Sequence, residues 1–80
     1  MKREEILKSL DSIIATSIGH HDFELYDNLK PDEIIGWDSM ANALILTSIE
    51  QQFGVKFKFS DMLAWKTIGQ LVELIQYKIG

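Results

Sequence analysis

Ser39 is the residue of this chain best placed for covalent chemistry. It lies in the run Gly-Trp-Asp-Ser-Met at residues 36–40, where an acidic loop gives way to the apolar segment 40–53. A serine at such a boundary can cap the start of a helix, or its hydroxyl can be an exposed point for attaching a group. The Asp-Ser pair alone leaves both uses open, and the rest of the sequence must decide between them.

Catalysis and metal binding have weaker candidates. His20 and His21 are adjacent in a loop, so their side chains point apart, and no further ligand is spaced around them as a zinc site requires. Ser39 is flanked by Trp37 and Ala41 rather than by the two glycines of a nucleophile elbow. A chain of 80 residues also leaves little to build a substrate pocket and an oxyanion hole. We therefore expect neither an enzyme nor a metal site.

The composition indicates one small domain, which we place at residues 1–80. A hydrophobic content of 46% supports a single modest core, and the absence of cysteine removes disulfides and thiolate sites as sources of stability. Acids and lysine interrupt the first segment, so it does not read as a signal peptide. No apolar run approaches the roughly 20 residues that span a bilayer. We expect a cytoplasmic, monomeric protein.

Negative charge is concentrated between His20 and Asp38. This segment holds six acids against one base, Lys30, in a chain whose formal net charge is −4. The acids are Asp22, Glu24, Asp27, Asp32, Glu33 and Asp38. An acidic surface repels phosphate backbones and attracts basic patches on proteins. Nucleic acid is therefore disfavoured as a partner, and basic proteins are favoured.

Hydrophobic periodicity predicts an all-α fold with three longer helices and one short helix. The first helix covers about residues 3–18 and stops at Gly19, after a stripe of apolar residues at helical spacing. The second begins at Ser39 with Asp38 as its N-cap, and it ends near Phe53 with Gly54 at the C-terminal cap.

The remaining segments are a long loop, an extended connector and two further helices. No period persists from residue 19 to 37, so we predict a long loop that scattered apolar residues pin to the core. The alternation over residues 55–59 resembles a strand, but a lone strand in a helical chain has no partner. We predict a short helix over residues 60–65 capped by Ser60, and a last helix opened by a capping box at Thr67. The last helix is expected to bury Ile68, Leu71, Val72, Ile75 and Ile79.

The second helix has apolar residues on more than one face. Its inward side is assigned to Asn42, Ile45, Leu46, Ile49 and Phe53. This leaves a second stripe at i, i+3, i+4 and i+7, formed by Met40, Ala43, Leu44 and Thr47. That outer stripe either meets a partner or packs against the loop through Phe23 or Leu29.

Three segments, in this order, connect the chain to a known family. They are residues 36–40, Ile-Glu-Gln-Gln-Phe-Gly-Val at 49–55 and Thr-Ile-Gly-Gln-Leu at 67–71. With these segments the whole chain resembles the acyl carrier proteins, which are phosphopantetheine-dependent carriers with a four-helix bundle. The resemblance implies that Ser39 receives 4′-phosphopantetheine from coenzyme A through a phosphopantetheinyl transferase. The thiol of that arm would hold an acyl group as a thioester, which gives a cysteine-free protein its thiol chemistry.

The resemblance also implies a surface that partner enzymes contact. Asp38 would present a carboxylate to the basic transferase while capping the helix, and Met40 stands where the family usually has leucine. Carriers of fatty-acid synthesis have an acid-rich second helix, whereas here its one acid is Glu50. We therefore favour a specialised pathway. Partner recognition is assigned to Asp38, Met40, Ala43, Leu44, Thr47 and Glu50.

The partners that the resemblance implies are the transferase and the enzymes that load or transfer the acyl group. An adenylating ligase, a ketosynthase and an acyltransferase all fit that description. A peptidyl or aminoacyl carrier shares the same skeleton and stays open, as does the choice between fatty-acid and polyketide pathways. An unmodified helical interaction domain, binding through the outer stripe, is the alternative from another functional class.

Overall fold

The structure is a computed structural model that describes residues 2–80. It contains four α-helices, α1 (Arg3–Ile18), α2 (Ser39–Phe53), α3 (Phe59–Met62) and α4 (Ile68–Ile79). A 3₁₀ turn at Pro31–Glu33, which the sequence did not predict, lies in the loop between α1 and α2. No strand occurs over residues 2–80. The all-α prediction, with three longer helices and one short helix, is confirmed.

The predicted boundaries of α1 and α2 are also confirmed. α1 ends at Ile18, where the Gly19 amide donates to the carbonyl of Ala15 at 2.9 Å. α2 begins after Asp38, whose side chain caps it, and is followed by Gly54. In both helices an apolar stripe and a terminal glycine mark the limits, which is why the sequence located them.

The prediction for α3 is wrong at both ends. The helix begins at Phe59 rather than Ser60, and it ends at Met62 instead of continuing to residue 65. Its cap is not a hydroxyl, because the Lys58 amide donates to Oδ2 of Asp61 at 2.7 Å. Lys78 binds the same carboxylate at 2.7 Å. The pKa of Asp61 is lowered from its ordinary value, mainly by this hydrogen bond from Lys78 and next by the hydrogen bond from the Lys58 amide.

α4 opens on Thr67 as predicted, with a shifted capping box. Thr67 Oγ1 accepts the Gln70 N–H at 3.2 Å, whereas the Gln70 side chain accepts from the Lys66 amide at 2.7 Å rather than from Thr67. The prediction that Ile79 is buried is wrong, since its exposed fraction is 38%. A helical stripe is buried only as far as its neighbours extend, and along this face of α4 burial stops at Ile75.

The core lies where α1 packs against α2 and α4. Leu29 and Ile34 from the long loop, Val55 from the connector and Trp65 before α4 close it from outside the helices. The largest fully buried side chains are Ile6, Leu10, Ile14, Ile45, Ile49, Ile68, Leu71, Val72 and Ile75. Among the helices of residues 2–80, none combines the length and the apolar character needed to cross a membrane.

The long loop is joined to the first turn of α4 by main-chain hydrogen bonds. The Ile68 amide donates to the Leu29 carbonyl and the Gly69 amide to the Asp27 carbonyl, both at 2.9 Å. A Cβ atom at Gly69 would lie 3.0 Å from the Asp27 carbonyl oxygen, so the two backbones approach as closely as glycine permits. Arg3 adds an ion pair of 2.6 Å to the Asp27 side chain. The loop therefore reaches α2 from a fixed position.

Candidate functional site

Ser39 is exposed at the first position of α2, and it does not cap the helix. The cap is Asp38, whose Oδ1 accepts the Ala41 N–H at 2.8 Å. The sequence allowed a serine at this boundary either to cap the helix or to be an exposed attachment point, and the capping role belongs to Asp38. Asp38 satisfies the helix backbone, which leaves the Ser39 hydroxyl available on the surface.

The start of α2 is also a favourable place for a phosphate. The amides of Ser39 and Met40 belong to the first helical turn, whose N–H groups have no carbonyl one turn earlier to accept them. The positive end of the helix dipole lies at the same point and stabilises negative charge. A phosphodiester formed on Ser39 would be stabilised by both effects.

The surface next to Ser39 is held by two tryptophans. The Trp37 indole N–H donates to Oδ1 of Asn42 at 3.0 Å, and the Trp37 ring lies 6.3 Å from the Trp65 ring between centroids. Trp65 is buried, so Trp37 rests on a fixed support. An open depression of about 440 Å³ runs past this ring, lined by Pro31, Asp32, Trp37, Asp38, Ser39 and Asn42.

A tight bend precedes the site. Gly36 has φ 94°, a left-handed conformation that residues with a side chain rarely adopt. The Trp37 amide donates to the Ile34 carbonyl at 3.2 Å and the Asp38 amide to the Gly36 carbonyl at 3.1 Å. A Cβ at Gly36 would lie 3.3 Å from Cβ of Ile18, so the bend rests directly on the end of α1.

The outer stripe of α2 faces solvent. Met40 is 76% exposed and Leu44 52%, and Ala43 and Thr47 are also exposed. The alternative that this stripe packs against the loop through Phe23 or Leu29 is therefore wrong. The prediction for the inward side of α2 is also wrong in part. Ala41, which was not assigned to that side, is buried, while Asn42 and Phe53 are only half-buried.

Ile35, four residues before Ser39, is a further exposed apolar residue that the sequence did not reveal. It is 81% exposed, although it is one of the scattered apolar residues that were expected to pin the loop to the core. The backbone at Ile34 is extended, so the side chains of Ile34 and Ile35 point to opposite sides, and Ile34 is the one in the core. Two adjacent isoleucines in an extended segment cannot both face the core, and this was the available signal.

Glu50 has a structural contact that its sequence position did not suggest. Its Oε2 accepts the Phe57 N–H at 2.7 Å, and its side chain is half-buried. The carboxylate therefore holds the extended connector against α2. One of its two oxygens is engaged within the chain.

The two histidines point to different partners, as expected. His21 lies 2.7 Å from a carboxylate oxygen of Asp11 on α1, whereas His20 reaches the backbone of Ile35. Within residues 2–80, no group of three or more histidine, aspartate or glutamate side chains is placed to hold a metal ion.

Comparison with known proteins identifies the family. The family description "PP-binding: Phosphopantetheine attachment site" matches residues 18–75. The acyl carrier protein of Thermotoga maritima is 31% identical over 78 residues, which cover 98% of this chain and 96% of that protein. This chain belongs to the acyl carrier protein family. Its members are carriers rather than enzymes, and the matched domain is where 4′-phosphopantetheine is attached covalently.

Two more distant carriers are similar over most of their length. The acyl carrier protein of Saccharopolyspora erythraea is 23% identical over 74 residues, covering 92% of this chain and 78% of that protein. The solution structure of the holo acyl carrier protein from Geobacter metallireducens has a TM-score of 0.83 at 23% identity and covers 91% of this chain and 84% of that one. The likeness to this structure shows that the helical fold is that of an acyl carrier protein.

The carrier fold gathers the predicted site residues on one side of α2. Asp38 and Ser39 lie at its start, and the exposed stripe from Met40 to Thr47 continues from them along the helix. Glu50 follows one turn later but is tied to the connector. Tertiary contacts supply what the sequence lacked, namely the support of Trp37 and the exposure of Ile35.

Proposed function

We propose that this carrier bears 4′-phosphopantetheine on Ser39 and presents an acyl group, held as a thioester, to partner enzymes. The observation that carries the proposal is the division of roles at the start of α2. Asp38 accepts the Ala41 amide, so the exposed Ser39 hydroxyl has no capping role and can act as the nucleophile toward coenzyme A on the transferase.

The residues around Ser39 fit the group they would hold. The first-turn amides and the helix dipole offset the charge of a phosphodiester, and the exposed serine side chain lines an open depression of the surface. When bound, the group supplies a thiol at the end of a flexible arm, which the cysteine-free chain cannot provide itself.

Intact mass after incubation with coenzyme A and a permissive phosphopantetheinyl transferase tests the attachment. We expect the mass to increase by one phosphopantetheine group, and Ser39→Ala to abolish the increase. Ser60→Ala is the matched control, because Ser60 is an exposed serine in the first turn of another helix. A full increase in Ser39→Ala would move the attachment to another residue, and no increase in the wild type with several transferases would leave the unmodified interaction domain as the better proposal.

We further propose that partners dock on an apolar surface formed by Ile35, Met40, Ala43, Leu44 and Thr47. The exposed fractions of Ile35, Met40 and Leu44 support it, since large apolar side chains left in water are typical of binding surfaces. Asp38 and the acids of the loop would attract basic partners from a distance. Glu50 stands at the far end of the surface and contributes least, because the Phe57 amide engages it.

The scarcity of acids on α2 favours dedicated partners of a specialised pathway over the many enzymes of fatty-acid synthesis. The loading and transfer enzymes expected are an adenylating ligase, a ketosynthase or an acyltransferase, and an aminoacyl cargo is the alternative. A monomeric, cytoplasmic protein acting as one domain over residues 1–80 remains our prediction.

Substitution Leu44→Glu tests the apolar surface with the transferase as the partner. We expect a lower kcat/KM for Ser39 modification, since a carboxylate would have to be desolvated in the interface. Gln52→Glu is the control, because it adds the same charge to α2 on the side where Gln52 contacts Ser9 of α1. Equal rates for both variants would contradict docking through the stripe. Helix content measured by circular dichroism should stay unchanged in each.

A further inference from the structure

His20 connects the end of α1 to the bend that leads into α2. Its side chain is 26% exposed. Its Nε2 lies within hydrogen-bonding distance of the carbonyl of Ile35, which is fifteen residues later in the sequence. On the other side of the ring, Nδ1 accepts the Asp22 N–H at 3.0 Å. The Phe23 ring lies edge-on to the imidazole, with 6.3 Å between centroids.

The two partners fix the protonation state in which both contacts are made. A backbone carbonyl can only accept a hydrogen bond, so Nε2 must carry the proton toward Ile35. A backbone amide can only donate, so Nδ1 must be unprotonated toward Asp22. The neutral imidazole with its proton on Nε2 satisfies both bonds, and no other form of the ring does.

The carbonyl that His20 holds belongs to the peptide joining Ile35 to Gly36. Gly36 is the left-handed residue of the bend, and it lies three positions before Ser39 in the chain. The other hydrogen bonds of this bend run between backbone groups. Rotation of the 35–36 peptide would shift the backbone that enters α2, and the His20 bond opposes that rotation.

We propose that His20 is a positioning residue of the attachment site. Its neutral imidazole fixes the 35–36 peptide and so sets where Asp38 and Ser39 stand when the transferase meets them. His20 touches neither the serine nor the incoming group, and it acts through the bend alone. This inference rests on the proposed attachment at Ser39.

Two substitutions separate the two bonds of the ring. In His20→Gln the side-chain amide nitrogen can occupy about the position of Nε2, so a hydrogen-bond donor to the Ile35 carbonyl is kept. In His20→Asn the side-chain amide oxygen can occupy about the position of Nδ1, so an acceptor for the Asp22 N–H is kept. The donor to the Ile35 carbonyl is lost. One neutral hydrogen bond corresponds to a factor of about three to ten in an equilibrium.

The readout is kcat/KM for transfer of phosphopantetheine to Ser39 by a permissive transferase. We expect His20→Asn to lower it about three- to tenfold, and His20→Gln to restore it to within about twofold of the wild type. His21→Asn is the matched control, since His21 binds Asp11 on α1 and not the bend. It should load at the wild-type rate.

Two further measurements separate positioning from general stability. In His20→Asn, exchange of the Trp37 and Asp38 amides should accelerate while the urea midpoint stays near that of His20→Gln. In the neutral ring of the wild type, imidazole nitrogen-15 shifts should show the proton on Nε2 rather than on Nδ1.

His20→Gln loading as slowly as His20→Asn, His20→Asn loading at the wild-type rate, or the opposite tautomer would overturn the positioning role. A wild type that accepts no phosphopantetheine would instead overturn the attachment at Ser39, so the two failures are distinguishable.

Discussion

Asp38 has two roles in the proposed function, and one pair of substitutions separates them. As N-cap it accepts the Ala41 amide at 2.8 Å, and as a carboxylate it presents charge beside Ser39. Asn and Asp cap helices about equally well, so Asp38→Asn removes the charge and keeps the cap. Asp38→Ala removes both.

The expected magnitudes differ enough to measure. Loss of a capping bond lowers the free energy of unfolding by about 1 kcal/mol. Loss of the charge near the helix dipole costs about 0.3 kcal/mol at an exposed position such as this one. Asp38→Ala should therefore be destabilised by about 1.3 kcal/mol and Asp38→Asn by about 0.3 kcal/mol. For a chain of this size the first value lowers Tm by about 5 to 10 °C.

Urea unfolding, monitored by circular dichroism, gives the stability of each variant. Intact mass measured over time gives the rate at which Ser39 is loaded. If the carboxylate attracts the transferase, both variants should load more slowly by a similar factor, and added salt should reduce the difference from the wild type. Equal destabilisation of the two variants would refute the capping argument. Wild-type loading by Asp38→Asn would refute the role of the charge.

Three further substitutions test contacts away from the serine. Gly69→Ala should lower the free energy of unfolding by about 1 kcal/mol in urea, because crowding against Asp27 outweighs the helix propensity gained. Asp61→Asn should lower Tm at neutral pH. The contact with Lys78 lowers the folded-state pKa of Asp61, so the carboxylate stabilises the fold at pH values above its unfolded-state pKa. The difference in Tm between the wild type and Asp61→Asn should therefore close as the pH falls through the folded-state pKa of Asp61. Gly36→Ala should cost about 1 to 2 kcal/mol in urea unfolding, since its φ of 94° strains any residue with a side chain.

The parts of the fold that sequence could predict are those with local causes. α1 was located at both ends because its stripe has helical spacing and Gly19 follows it. α2 was located because Asp38 and Gly54 bracket it. In each case the information lies within one helix and its flanks, so no tertiary contact was needed to read it.

The parts that sequence missed depend on residues that are distant in the chain. Glu50 looked like a surface acid because its acceptor role depends on where the connector passes. Ile35 looked like a core residue because the sequence does not show which of two adjacent isoleucines, Ile34 or Ile35, faces the core. The close approach of Gly69 to Asp27 required α4 and the loop to be placed together first.

The junction between the long loop and α4 has a consequence for protein synthesis. The carbonyls of Asp27 and Leu29 leave the ribosome early, but the amides that bind them belong to Ile68 and Gly69, about forty residues later. Until those residues emerge, the loop has no main-chain partner there, and the entry to α2 lacks that restraint. Ser39 is translated about thirty residues before Ile68 and Gly69, so the surface that a modifying enzyme would recognise is completed only after those two residues are made. A transferase that reads this surface would therefore act only on a carrier that has finished folding.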